Sequence, residues 1–141
     1  MAQHKDKEIL ITGHSLGAAL GQLCAIEVSE YMQEQAYNGQ IYLYTFGSPR
    51  WGNKVMVKHF ASLVAFHYRV VNEKDVVPTL PYEDLGLKSH YHHSWTEIWY
   101  KKDSPLKFKE CDGSGEDSDC DYIGYSISDH LHYMGIYEDC S

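Results

Sequence analysis

Residues 13–17 read Gly-His-Ser-Leu-Gly, a G-x-S-x-G pattern that carries chemistry in one local setting, a serine on a sharp turn between a strand and a helix. Such a turn strains the serine's backbone and needs flanking glycines, Gly13 and Gly17, so that neighbouring side chains do not clash. In return, the Ser15 hydroxyl stands clear at the positive end of a helix. The backbone N–H of the next residue, Leu16, can then donate to an oxyanion developing on an attacked carbonyl. A plain glycine-rich turn would account for Gly13 and Gly17 but gives no reason for His14-Ser15.

A serine hydroxyl becomes a nucleophile only beside a histidine base that a carboxylate orients. On a strand–turn–helix nucleophile the chain order is serine, acid, histidine. Asp75 follows the apolar stretch ending at Val71, which places it at the carboxyl edge of a parallel sheet, where such sites assemble. Glu73, Glu83 and Asp84 are its rivals, and a solvated loop acid is the bland alternative. Nine histidines compete for the base. His130 and His132 come late enough and sit near a short capped helix. His90, His92 and His93 open a strand too early to return to Ser15 and read as a polar strand entry.

The elements that would position these groups are legible as a βαβ alternation. Residues 7–12 (KEILIT) read as a buried strand. A helix runs from Leu16 to about Ala36, with Leu16, Leu20, Leu23, Cys24, Val28, Tyr31 and Met32 as its apolar face. Gly17 and Gly21, one turn apart, would let it approach a sheet closely. Strands at 40–46 and 64–71 flank a short helix at 54–62. Residues 76–89 are irregular, 93–100 form a fourth strand, and 101–121 are a polar excursion. Ser126 or Ser128 caps a short helix within 126–134. Nothing divides the 141 residues into two domains.

The formal charge is −8, but residues 110–121 hold six acids and no base, so the remainder sits near −2. This balance excludes a phosphate-tracking nucleic-acid binder. No run reaches the roughly eighteen apolar residues of a membrane span, and the first ten residues carry no secretory h-region. Asp117, Asp119 and Asp121 invite a calcium loop, but the glycine and glutamate such a loop needs are replaced by Tyr122 and Ser128. No metal is expected.

Five blocks, ITGHSLGAAL, TFGSPRWGN, YRVVNEKDVVPTLP, HHSWTEIWY and DHLHYMGI, in this order across residues 9–137, closely resemble the class 3, fungal-type triacylglycerol lipases. The resemblance implies a single, partial α/β-hydrolase domain over 1–141, a mostly parallel sheet lacking its N-terminal strands and lid. It implies Ser15 as nucleophile, His130 rather than His132 as base, and Asp75 as the orienting acid. It further implies cleavage of acylglycerol or other lipid esters at a lipid–water interface, through an acyl-enzyme and without cofactor, by a secreted protein. Ala18-Ala19 replace the two glycines usual after the nucleophile.

The family's N-terminal half, with several strands, the lid and the second oxyanion donor, has no counterpart here. The strand before Ser15 is therefore expected to be an exposed apolar edge, and a lost oxyanion donor costs on the order of 10²–10³-fold in turnover. By the same resemblance Cys111 pairs with Cys120, and Cys140 matches a cysteine whose partner lies in that absent half. Cys24, on the apolar helix face, reads as a buried free thiol. The competing reading is a catalytically impaired lipase-like fragment that acts as an interaction partner through its open sheet edge.

Overall fold

The computed structural model describes residues 6–82, 90–101, 107–120 and 123–138. Five strands form one sheet in the order β1-β2-β3-β4-β5. β1 (Ile9–His14), β2 (Ile41–Phe46), β3 (Phe66–Asn72) and β4 (Thr96–Tyr100) are parallel, and β5 (Phe108–Glu110) is antiparallel to β4. Helix α1 (Leu16–Glu34) connects β1 to β2, and α2 (Lys54–Leu63) connects β2 to β3. This is the expected α/β class, with β1 at the sheet edge.

Strand alternation sorts the sheet's residues onto two faces. Ile9, Ile11, Ile41 and Leu43 point to the helical side, where they pack with Ala25, Ile26, Met32, Phe60 and Val64. The opposite face carries aromatic ladders, Tyr42 stacked on Phe66 and Tyr44 near Tyr68. Buried polar groups on the helical side are bonded to one another. Gln22 donates to Ser48 Oγ at 2.9 Å and accepts from Ser94 Oγ at 2.7 Å.

The orientation of α1 corrects the sequence reading. Its buried face is Ala18, Ala19, Gly21, Gln22, Ala25, Ile26, Ser29 and Met32. Leu16 (67%), Leu20 (57%), Leu23 (40%) and Tyr31 (45%) are exposed instead. The reason is distance. A Cβ on Gly21 would lie 3.5 Å from Ile11 Cγ2 and 3.7 Å from Leu43 Cδ1, so the helix lies too low over the sheet for leucines to fit beneath it. Cys24 turns outward with that face and is exposed, not buried. Gly17 plays no part in this approach, since a Cβ there would meet nothing within 4 Å.

Three further differences concern the later chain. β4 begins at Thr96 rather than His93, because His92, His93 and Ser94 are buried in irregular backbone. The polar excursion contains β5, whose Lys109 sits opposite Trp99. Beyond α3 (Ile127–His130) a two-stranded hairpin, β6 (His132–Tyr133) and β7 (Ile136–Tyr137), turns on Met134 and Gly135, both at positive φ. Cys111 and Cys120 form a disulfide. Cys140 and the acids Glu83, Asp84 and Asp121 lie outside the described residues. No described helix is long and apolar enough to cross a membrane.

Candidate active site

Ser15 joins the end of β1 to the start of α1 with φ 57° and ψ −129°, a positive φ that is costly for a residue with a side chain. Two contacts impose it. The Ser15 N–H donates to Phe46 O at 2.9 Å, while its carbonyl accepts from Ala18 N at 3.0 Å to begin the helix. Gly13 makes the turn possible, because a Cβ there would lie 2.3 Å from the Gly17 carbonyl oxygen. The Leu16 N–H occupies the first helical position, where no i−4 acceptor exists.

Asp75 follows β3 in a tight turn, its N–H donating to Asn72 O at 3.0 Å. It is fully buried. Its Oδ1 accepts from the Val77 N–H at 2.8 Å, and its Oδ2 faces His130 Nδ1 at 2.9 Å. His130 closes α3, a single turn capped by Ser126 Oγ, which accepts from the Asp129 N–H at 3.0 Å. An isolated bridge between Asp75 and Ser126 fixes the cap to the acid's own turn. His130 Nε2 then lies 2.8 Å from Ser15 Oγ. The structure thus brings together Ser15, His130 and Asp75, residues up to 115 positions apart.

The rivals lie elsewhere. Glu73 occupies a positive-φ turn and its carbonyl accepts from Trp99 Nε1 at 2.9 Å. His132 starts β6 with its ring against Tyr137. His93 is buried and its Nε2 donates to Pro78 O at 2.8 Å. Burial and the nearby Arg69 and Arg50 hold its imidazole well below the usual range. His67, buried against Thr45, is lowered for the same reasons, burial first and Arg69 second.

Three residues around the constellation were not singled out from sequence. Tyr133 Oη donates to Asp75 Oδ2 at 2.5 Å. Gly47, at φ 55°, passes so close that a Cβ would lie 2.7 Å from Asp75 Oδ2 and 2.9 Å from His130 Nδ1. The His14 ring lies tilted beside that of His130, with ring centroids 4.5 Å apart. All three fall within the blocks that carry the family resemblance, but no residue pattern there assigns them a place at the site. Among the described residues, the one group with metal-ligand spacing is Glu97 with Cys111 and Cys120, whose sulfurs are bonded to each other.

The arrangement is that of a serine beside a histidine that a carboxylate orients, and the chain is similar to known proteins in sequence and fold. The family model for class 3 lipases matches residues 1–85, which include Ser15 and Asp75. A lipase of Rhizomucor miehei is 35% identical over 138 residues, covering 95% of this chain and 36% of the relative. A secreted mono- and diacylglycerol lipase of Malassezia globosa is 37% identical over 103 residues, 69% of this chain and 30% of that protein. A solved triacylglycerol lipase whose catalytic centre is described as a serine protease triad superposes with a TM-score of 0.81 at 32% identity, over 96% of this chain and 51% of its own. The chain therefore spans 30% to 51% of the length of these three proteins. On this similarity of motif, sequence and fold, the chain belongs to the class 3 lipase family and has an α/β-hydrolase fold.

Proposed function

We propose that the protein is a carboxylic ester hydrolase of the triacylglycerol lipase type, its single domain acting on acylglycerol or related lipid esters at a lipid–water interface. The observation that carries this reading is the unbroken line from Ser15 Oγ through His130, 2.8 Å at Nε2 and 2.9 Å at Nδ1, to Asp75. In the first step Ser15 Oγ attacks the ester carbonyl carbon and its proton passes to His130 Nε2. The Nδ1–H donates to Asp75 and holds the imidazole with its lone pair toward the serine. The carbonyl oxygen, now an oxyanion, accepts from the Leu16 N–H. His130 returns the proton to the departing alcohol, leaving Ser15 acylated. Water attacks the acyl-enzyme by the same steps in reverse roles, releasing the fatty acid and restoring Ser15. A secreted setting fits the Cys111–Cys120 disulfide, because such bonds persist in oxidising compartments.

The test is release of nitrophenol from a short-chain nitrophenyl ester and of fatty acid from a short-chain glyceride, with Ser15→Ala alongside. Turnover that depends on Ser15 supports the proposal, and equal rates in both proteins overturn it.

A second reading, an interaction partner without turnover, is favoured by the position of β1 at the sheet edge and by the exposed leucines of α1. Among the described residues no further strand pairs with the outer edge of β1, and such an edge is a template for further pairing. Scattering or size-exclusion chromatography decides it. A well-behaved monomer speaks against edge pairing, and labelling of Ser15 by a fluorophosphonate speaks against an inert site.

A further inference from the structure

His14 is the one non-glycine side chain of the elbow motif besides Leu16 that the proposed reaction leaves unused, and it is the best connected of them. It ends β1, and its ring lies beside His130 with Tyr133 edge-on at 5.4 Å. Its Nε2 is 2.8 Å from the His130 main-chain oxygen. Its Nδ1 is 3.1 Å from Glu138 Oε2. A peptide carbonyl can only accept, and so can a carboxylate. Both ring nitrogens therefore face acceptors. A neutral imidazole carries one N–H, so it would satisfy one of these contacts and oppose lone pair to lone pair in the other.

The Glu138 main chain is anchored beside this contact, its side chain half exposed. Its N–H donates to Leu131 O at 2.8 Å, which ties the exit of the β6–β7 hairpin back to the residue after His130. The two hairpin strands are only two residues each; the Asn72 amide donates to the flanking main-chain oxygens, Asp129 O at 3.3 Å and His132 O at 2.7 Å, while the His130 oxygen between them faces His14. His14, by contrast, is anchored in β1, where its register partner is Phe46 on β2.

Resting on the triad reading above, we propose that His14 is a positioning residue, held as an imidazolium by Glu138, that braces the His130 main chain so that Nε2 stays on Ser15 Oγ. The residue preceding the nucleophile thus holds the base, and one stretch of backbone sets both ends of the proton-transfer distance. Proton transfer is sensitive to that distance, and a misplacement of about 1 Å can cost 10²-fold.

The experiment pairs 15N NMR of the imidazole rings with ester kinetics. The His14 signals are assigned by their loss in His14→Gln. At neutral pH the wild type is expected to show both His14 nitrogens protonated, and Glu138→Gln to show one. Glu138→Asp keeps a carboxylate and is expected to restore the second proton. On a nitrophenyl ester, Glu138→Gln lowers kcat about tenfold at a little-changed KM, Glu138→Asp recovers most of it, and thermal melting verifies that each variant is folded.

A wild-type His14 with a single proton, indifferent to Glu138→Gln, overturns the proposal, as does a folded Glu138→Gln variant with wild-type kcat. Ser15→Ala separates this from the triad reading. If the wild type has no Ser15-dependent turnover, that reading fails, while the nitrogen spectra of either protein still decide whether His14 is the doubly donating brace.

Discussion

Tyr133 and His130 converge on one atom of Asp75: the phenol donates to Oδ2 at 2.5 Å and the imidazole Nδ1 lies 2.9 Å from the same oxygen. The two residues are three apart, on either side of the end of α3, so the short helix brings an imidazole and a phenol to the same carboxylate. The Val77 N–H holds the other carboxylate oxygen at 2.8 Å. Asp75 is therefore fixed from both sides before it meets the imidazole.

Tyr133→Phe removes one donor from that carboxylate and keeps the ring that packs edge-on against Phe46 and His14. A hydrogen bond to a carboxylate contributes about 1.5 kcal/mol or more, so kcat is expected to fall roughly tenfold. KM should change little, because the phenol reaches the acid and not the ester. Steady-state kinetics on a nitrophenyl ester check the split, and an unchanged kcat would remove Tyr133 from the account.

Gly47→Ala is expected to be far more damaging than its size implies. The residue sits at φ 55°, and its Cβ would fall 2.7 Å from Asp75 Oδ2 and 2.9 Å from His130 Nδ1. A methyl group there must part the acid from the base. Loss of the orienting carboxylate costs up to about 10⁴-fold in a Ser-His-Asp site, so a fall of at least 10²-fold in kcat is the expectation. Fluorophosphonate labelling of Ser15 should slow in parallel.

Stability should fall on mild acidification because of two buried histidines. Burial and arginine neighbours hold His67 and His93 well below the ordinary imidazole range. In the unfolded chain they take up protons as pH drops below about 6.5, while the folded protein does not, so unfolding is favoured as pH falls. Each contributes a slope of roughly 1 kcal/mol per pH unit between that value and its folded one. Glu97 acts in the opposite sense, since burial outweighs Arg69 and pushes its carboxyl up. Urea melts from pH 7.5 to 5.0 test this. A flat profile contradicts it, and His93→Gln should remove about half of the histidine slope.

Replacing Cys111 and Cys120 by serine opens a cross-link of sequence separation nine. The chain-entropy argument gives a loss of about 2–3 kcal/mol for so short a loop. Chemical denaturation of the double variant beside the oxidised wild type measures it, and equal midpoints would contradict the expectation.

What could be read from the sequence follows from how local each signal is. The strand–helix alternation through Asn72 is visible because apolar runs and turn residues act within a few positions, and the Ser126 cap is visible for the same reason. The face of α1 differs from the sequence expectation because leucines at three- and four-residue steps ordinarily mark the buried side. Here Gly21, Ala18 and Ala25 lie against the sheet, and a small-residue face carries no hydrophobic signal. β5 is three residues long within a charged stretch, and its pairing with β4 is tertiary. At the site, Ser15 announces itself by motif, and Asp75 and His130 by chain order and family resemblance. Gly47, Tyr133 and His14 act through distances across strands that no spacing encodes.

The most direct test of the account is Ser15-dependent ester hydrolysis by this chain. Wild type and Ser15→Ala, both verified as folded, are assayed on a short-chain nitrophenyl ester and titrated with a fluorophosphonate. The account predicts turnover and stoichiometric labelling in the wild type and neither in Ser15→Ala. Equal hydrolysis by the two proteins, or a folded wild type that fails to label, would contradict it.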